Sequence, residues 1–164
     1  SGTSKTLMGV TYGNGLFVMV GESGTNLTSS DGTSWNNRTS GKTQGLHGVT
    51  YGNGTFVTVG KDGTILTSPD GTTWAGRTSG TSNNLMGVTY GNGLFVTVGY
   101  SGTILTSPDG TTWTAQTSGT NQDLQGVTYG NNTFVVVGDN GIIKTSPDGT
   151  TWTAQTSGTS KTLM

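Results

Sequence analysis

The sequence predicts an all-β fold: a β-propeller built from four 39-residue, four-stranded blades, standing alone or as half of a larger ring. Three observations predict it. The first is a repeat without insertions or deletions, in which Leu7-Met8-Gly9-Val10-Thr11-Tyr12 returns as Leu46 to Tyr51, Leu85 to Tyr90 and Leu124 to Tyr129, each 39 positions after the last. The second is the turn signals within each unit, which separate four short β-branched and aromatic segments at intervals of roughly 8 to 12 residues. The third is the pattern along Leu94-Phe95-Val96-Thr97-Val98, where Phe95 faces one way and Leu94, Val96 and Val98 the other, so that both faces of one strand are apolar. A small sheet buried on both faces and repeated side by side is a blade held between two others. A flat array of hairpins would expose one face and alternate more cleanly with polar residues.

In chain order, each unit opens on the Leu-x-Gly-Val-Thr-Tyr strand and turns at Gly-Asn-Gly, as in Gly52-Asn53-Gly54. A second strand follows, Phe56-Val57-Thr58-Val59 in the second unit, then a Gly-containing turn and a third strand, Ile65-Leu66-Thr67. The unit ends on a hairpin around an Asp-Gly pair and a fourth strand expected to run through Trp74. Asp-Gly flanked by Thr-rich segments points to a tight turn with positive φ. The units are approximately 7–45, 46–84, 85–123 and 124–162 of a single repeat domain spanning 1–164, and residues 157–164 duplicate residues 1–8 letter for letter. Nothing reads as helix.

Composition narrows the function classes. Charged residues are 9% and the net charge is −1, so the chain has no basic footprint for nucleic acid or an anionic membrane surface. It contains no cysteine, which excludes disulfides, thiol chemistry and Cys-ligated zinc. No apolar run approaches ~18 residues, and Ser1 opens directly into repeat sequence with no signal-like segment before it. Thirty glycines with so little net charge, and apolar residues at regular places, describe a folded chain and not a disordered one.

The hairpin core, Ser-Pro-Asp-Gly-Thr-Thr-Trp in three units and Ser-Ser-Asp-Gly-Thr-Ser-Trp in the first, resembles the Asp-box of sialidase-type and photosystem II assembly factor-like β-propellers, with one residue fewer between Asp and Trp. The resemblance covers all four units. It implies that Asp31, Asp70, Asp109 and Asp148 accept hydrogen bonds within their own turns and that Trp35, Trp74, Trp113 and Trp152 pack beneath them, a folding device and not a catalytic one. It also implies what a sialidase would need: three arginines on a carboxylate and a Tyr nucleophile with acidic partners. Only Arg38 and Arg77 are present, at equivalent places on the outermost strands of neighbouring units.

Other chemistry fares no better. A two-carboxylate glycosidase needs a pair of acids at a defined separation, one with a raised pKa. Four of the eight acids are the box aspartates, and Glu22, Asp62, Asp123 and Asp139 fall in solvated turns or connections. His47, the one histidine, stands where other units have Met8, Met86 and Gln125, which suits a tolerated substitution better than a ligand. One carboxylate per turn is too few for calcium, so neither metal nor cofactor is expected. The Trp, the Phe and the first-strand Tyr (Tyr12, Tyr51, Tyr90, Tyr129) of each unit are read as filling between blades, in preference to a ring of sugar-stacking aromatics.

The differences between units are concentrated. The Gly-Asn-Gly and Asp-Gly turns barely change, whereas the turn after the second strand reads Glu22-Ser23, Lys61-Asp62, Tyr100-Ser101 and Asp139-Asn140. The connection into each new unit varies too. In an up-and-down blade these two loops emerge on one face, so the eight turn residues are the candidate ligand contacts. The expectation is a non-catalytic module for binding or display, with a glycan as one ligand class, in a secreted or cell-surface protein. A structural, amplified or engineered scaffold that binds nothing is the alternative, and a glycosidase-like enzyme a distant one. An unclosed stack would bare residues such as Phe17 and Val135, so self-association, most simply two chains making eight blades, or continuation in a longer array is also expected.

Overall fold

The computed structural model describes residues 2–164 and consists of four antiparallel sheets in sequence order. The first comprises β1 (Leu7–Gly13), β2 (Leu16–Gly21), β3 (Thr25–Ser29) and β4 (Asn36–Thr39), and the second β5 (Leu46–Gly52), β6 (Thr55–Gly60), β7 (Ile65–Ser68) and β8 (Ala75–Arg77). The third comprises β9 (Leu85–Gly91), β10 (Leu94–Gly99), β11 (Ile104–Ser107) and β12 (Thr114–Gln116), and the fourth β13 (Leu124–Gly130), β14 (Thr133–Gly138), β15 (Ile143–Ser146) and β16 (Thr153–Gln155). Within each sheet, strands pair in chain order. Between sheets, first strand packs on first strand, β1 on β5, β5 on β9 and β9 on β13. The result is an arc of blades whose first strands lie innermost.

The turns follow from local chemistry. Gly52 pairs with Thr55, leaving Asn53 and Gly54 as a two-residue loop with φ of 47° and 73°, the doubly positive turn that matches strand twist and suits Asn-Gly. The second-to-third connection is a single 3-10 turn, Lys61–Gly63 in the second blade. The box connection differs from the tight hairpin expected. Thr67 pairs with Ala75 as the last rung, so Ser68 to Trp74 form a wider loop and Trp74 precedes the fourth strand instead of lying in it. The reason is the Asp side chain, which organises a loop of its own.

Both faces of the inner strands are buried as expected. Phe95, Val96, Thr97 and Val98 are each 0% exposed. One core lies at each joint: Val18 and Val20 of the first blade meet Leu46, Val49, Phe56 and Leu66 of the second, and the pattern recurs at the next two joints. Burying such side chains is worth roughly 1.5–3 kcal/mol each. The phenylalanines Phe56, Phe95 and Phe134 fill the centres, whereas the tryptophans are half-buried at the margins. Each Tyr lies 4.6 Å from the Phe of its own blade, ring centre to ring centre, and Tyr51, Tyr90 and Tyr129 also cover a glycine of the blade before. A Cβ on Gly52 would lie 2.1 Å from Tyr90 Cγ, and Gly13 and Gly91 meet Tyr51 and Tyr129 in the same way.

One joint breaks the pattern. Asn26 is 1% exposed, and neither its amide nitrogen nor its oxygen has a hydrogen-bond partner. Its counterparts Ile65 and Ile104 sit in the joint cores. An unpaired buried amide costs ~1–3 kcal/mol. Asn26→Ile is therefore expected to raise the unfolding free energy by about that amount. Gly52→Ala, by contrast, is expected to lower it by about 1–3 kcal/mol through overpacking against Tyr90. Urea titrations of both variants check the pair of signs.

Candidate functional site

The box aspartates act within their loops. Asp70 Oδ1 accepts from the amides of Thr72 and Thr73, both at 2.8 Å, and from Ser68 Oγ at 2.9 Å. Ser68 Oγ in turn accepts from the Gly71 amide at 2.8 Å, and Trp74 Nε1 donates to the Gly71 carbonyl at 3.2 Å. The same loop recurs around Asp31, Asp109 and Asp148, with Trp35, Trp113 and Trp152. At Asp31, Asp70 and Asp148 the amides of Ser34, Thr73 and Thr151, then those of Thr33, Thr72 and Thr150, hold the carboxyl well below its usual range. At Asp109 the Thr111 hydroxyl contributes most. Each of these carboxylates is thus engaged, through Oδ1, with amides of its own loop.

Arg38 and Arg77 are equally occupied. Each donates through Nε to a threonine on the neighbouring strand, Thr28 at 2.9 Å and Thr67 at 2.8 Å, and Gln116 and Gln155 do the same in the last two blades. They lie on the outer strands and do not converge. No group of three or more His, Asp or Glu side chains that could hold a metal gathers among the described residues.

The varied residues occupy the four 3-10 turns. Glu22, Ser23, Lys61, Asp62, Ser101 and Asn140 are exposed, and Tyr100 and Asp139 half-buried. Each turn shares its face with the connection that enters its own blade, because the first turn amide donates to that connection: Glu22 to Thr6, Lys61 to Gly45, Tyr100 to Asn84 and Asp139 to Asp123. Ser23, Asp62, Ser101 and Asn140 are held at φ near 55°. Asn84 Oδ1 accepts from the Asp62 amide at 3.0 Å, and Asp123 Oδ1 from the Ser101 amide at 2.8 Å. Part of the variation thus fits turn to connection.

Glu22, Ser23, Lys61 and Asp62 converge on a cleft of about 480 Å³ between the first two blades, which Met8, Thr43, Gln44, Gly45 and His47 also line. Tyr100, Ser101, Asp139 and Asn140 lie on the turns of the third and fourth blades, outside this cleft. His47 is a cleft residue that sequence reasoning set aside. Its Nδ1 lies 2.9 Å from the Leu85 carbonyl, which fixes the ring. The signal for it was the varied connection just before it, Lys42 to Gly45.

Structural comparison supplies the wider frame. YCF48 from Cyanidioschyzon merolae superposes with a TM-score of 0.73 at 18% identity, over 94% of this chain and 57% of that one. YCF48 bound to D1 peptide gives 0.75 at 19%, over 94% and 54%. The fold is that of a β-propeller, here as an arc of four blades. The Asp-box arc spans little more than half the length of these two proteins. The computationally designed Ika4 protein matches at 0.70 and 14% identity, over 89% of this chain and 93% of that one. No protein-family model and no curated protein matches the sequence.

Because the box carboxyls ionise more readily folded than unfolded, they stabilise the fold above the ordinary carboxylate pKa of about 3.9, and that contribution is lost as pH falls below it. Thermal melts between pH 6 and 2 are expected to show Tm dropping below about pH 4. Replacing Asp70 and Asp109 by Asn, which keeps an acceptor but removes the titration, should make that drop shallower. An unchanged acid slope would assign it to other groups.

Proposed function

We propose that this propeller arc is a non-catalytic interaction module that binds ligands across its turn-and-connection face. The observation that carries the proposal is the cleft in which Glu22, Ser23, Lys61, Asp62 and His47 bring both charges and an imidazole together on a framework whose other turns hardly vary. Side chains on short turns braced by a rigid sheet are well placed to recognise a partner without reorganising. The four box acids are tied into their own loops and the two arginines to neighbouring threonines, so neither set supplies a reaction centre. The non-catalytic reading rests on these side chains and not on the fold, which a Niastella koreensis GH74 enzyme shares over 24% of that chain at 20% identity.

Two ligand classes fit the face. A glycan suits a shallow polar surface with Tyr100 at one side, and would go with a secreted or cell-surface protein. A peptide is supported by YCF48, whose structure with D1 peptide has the same fold. The bare blade faces at both ends of the arc further support self-association or continuation in a longer array as the state in which this face is displayed. The alternative is an amplified or engineered scaffold with no ligand, a reading that the occurrence of this fold in the computationally designed Ika4 supports.

Arrays of immobilised glycans and of peptides separate these readings. Replacing Lys61 by Glu and Asp62 by Asn together is expected to abolish binding while the melting curve stays nearly unchanged, since both positions are exposed and contribute within about ±0.5 kcal/mol, and Asn tolerates the positive φ at 62. Equal loss on replacing Asn53 and Asn92, in the opposite turns, would place the site on the other face. No binding on either array would favour the scaffold.

A further inference from the structure

The two ends of the arc carry complementary halves of the joint that is made three times inside it. At the leading end, Tyr12 is 58% and Val10 57% exposed, whereas Val49, the counterpart of Val10, is 9%. Phe17 and Leu7 are half-buried, although Phe56, Phe95, Phe134, Leu46, Leu85 and Leu124 are 0% exposed. At the trailing end, Val135, Val137 and Ile143 are half-buried where Val57, Val59, Val96, Val98, Ile65 and Ile104 are at most 1% exposed. The most specific mismatch is a glycine. Gly13, Gly52 and Gly91 each lie under the Tyr of the next blade, but a Cβ on Gly130 would meet nothing within 4 Å. Tyr12 has no glycine beneath it and Gly130 has no tyrosine above it.

We infer that the occupant of both faces is a second copy of this chain, docked head to tail so that the Tyr12 of each copy covers Gly130 of the other. The units are nearly identical, so each copy already carries the surface that closes the other's open joint. A ring of whole copies holds four or eight blades within the usual range of about 4 to 8. The exposed ends exclude four, leaving two copies and eight blades related by a two-fold axis. This assembly is independent of what the loop face binds.

The duplicated octapeptide fits the same joint. Inside the arc, one connection serves two blades: Ser40 Oγ donates to the Gly24 carbonyl of the blade before, and Gly45 accepts from Lys61 of the blade after. At the ends, the two roles are divided. Ser157 and Thr159 lie against Gly141 just as Ser79 and Thr81 lie against Gly63, and Thr6 accepts from Glu22 at 3.0 Å. Leu163 meanwhile donates to the Gly138 carbonyl at 3.0 Å, in the repeat position that Leu7 holds at the head. In the docked ring, Ser157 to Ser160 of one copy and Lys5 to Met8 of the other make a spliced connection, and Leu7 of the incoming copy displaces Leu163.

Light scattering coupled to size exclusion, with the 164-residue chain at micromolar concentration, is expected to give twice the 16.7 kDa chain mass. Gly130→Val alters only the trailing end and Val10→Asp only the leading end. Both positions are open to solvent in the single arc, so both variants should keep the parent's circular dichroism spectrum and run at single-chain mass. Truncation after Ser160 should preserve the double mass. A parent that stays at single-chain mass overturns the inference, as does retention of the dimer by either variant, which would indicate tail-to-tail or head-to-head contact. Loss of the dimer on truncation overturns the splice.

Discussion

Everything in this fold depends on lamination of one sheet against the next. A blade of four short strands, rich in Gly and Thr, satisfies its backbone through ladder hydrogen bonds but still bears the conformational entropy of ordering every residue. The apolar residues that oppose this cost lie on both faces, so a blade alone would leave Phe56, Val57 and Val59 in water. The neighbour is therefore part of the folding unit. Repetition is the simplest way to supply it, because the face that needs covering and the face that covers come from the same short sequence.

That constraint divides the residues into two kinds. The joint-core Leu, Phe and Val positions are nearly invariant among units, down to the glycines that let a tyrosine ring lie flat on the backbone. Positions on the connection and the 3-10 turn escape it and differ from unit to unit. Even there the freedom is partial: Asn84 and Asp123 point back to hold a turn amide, so a change in the turn meets a partner already facing it. A binding surface built this way changes chemistry without changing shape.

The repeat length, strand count, two-faced burial and the common face of turn and connection were all legible in the sequence, because each rests on period or on local turn chemistry. The self-contained bonding of Asp31, Asp70, Asp109 and Asp148 was legible only through the resemblance to Asp-box proteins. Two matters were not. The breadth of the box loop was hidden because Asp-Gly also signals a two-residue hairpin, and only the pairing of Thr67 with Ala75 shows that the Asp side chain, not the ladder, shapes the bend. His47 read as a lone substitution because its importance lies in which neighbours surround it, and the cleft is made by two blades that one-dimensional periodicity cannot bring together.

The orphaned amide of Asn26 gives the otherwise uniform arc a direction. In a stack of equivalent interfaces, unravelling has no preferred joint, but here the first joint holds the only unpartnered buried side chain among the described residues. Opening free energies should therefore rise along the chain from the first blade inward, so that this blade is the first to peel away and the first whose amides exchange with solvent. A single polar substitution thus turns a mechanically symmetric lattice into one with a built-in seam.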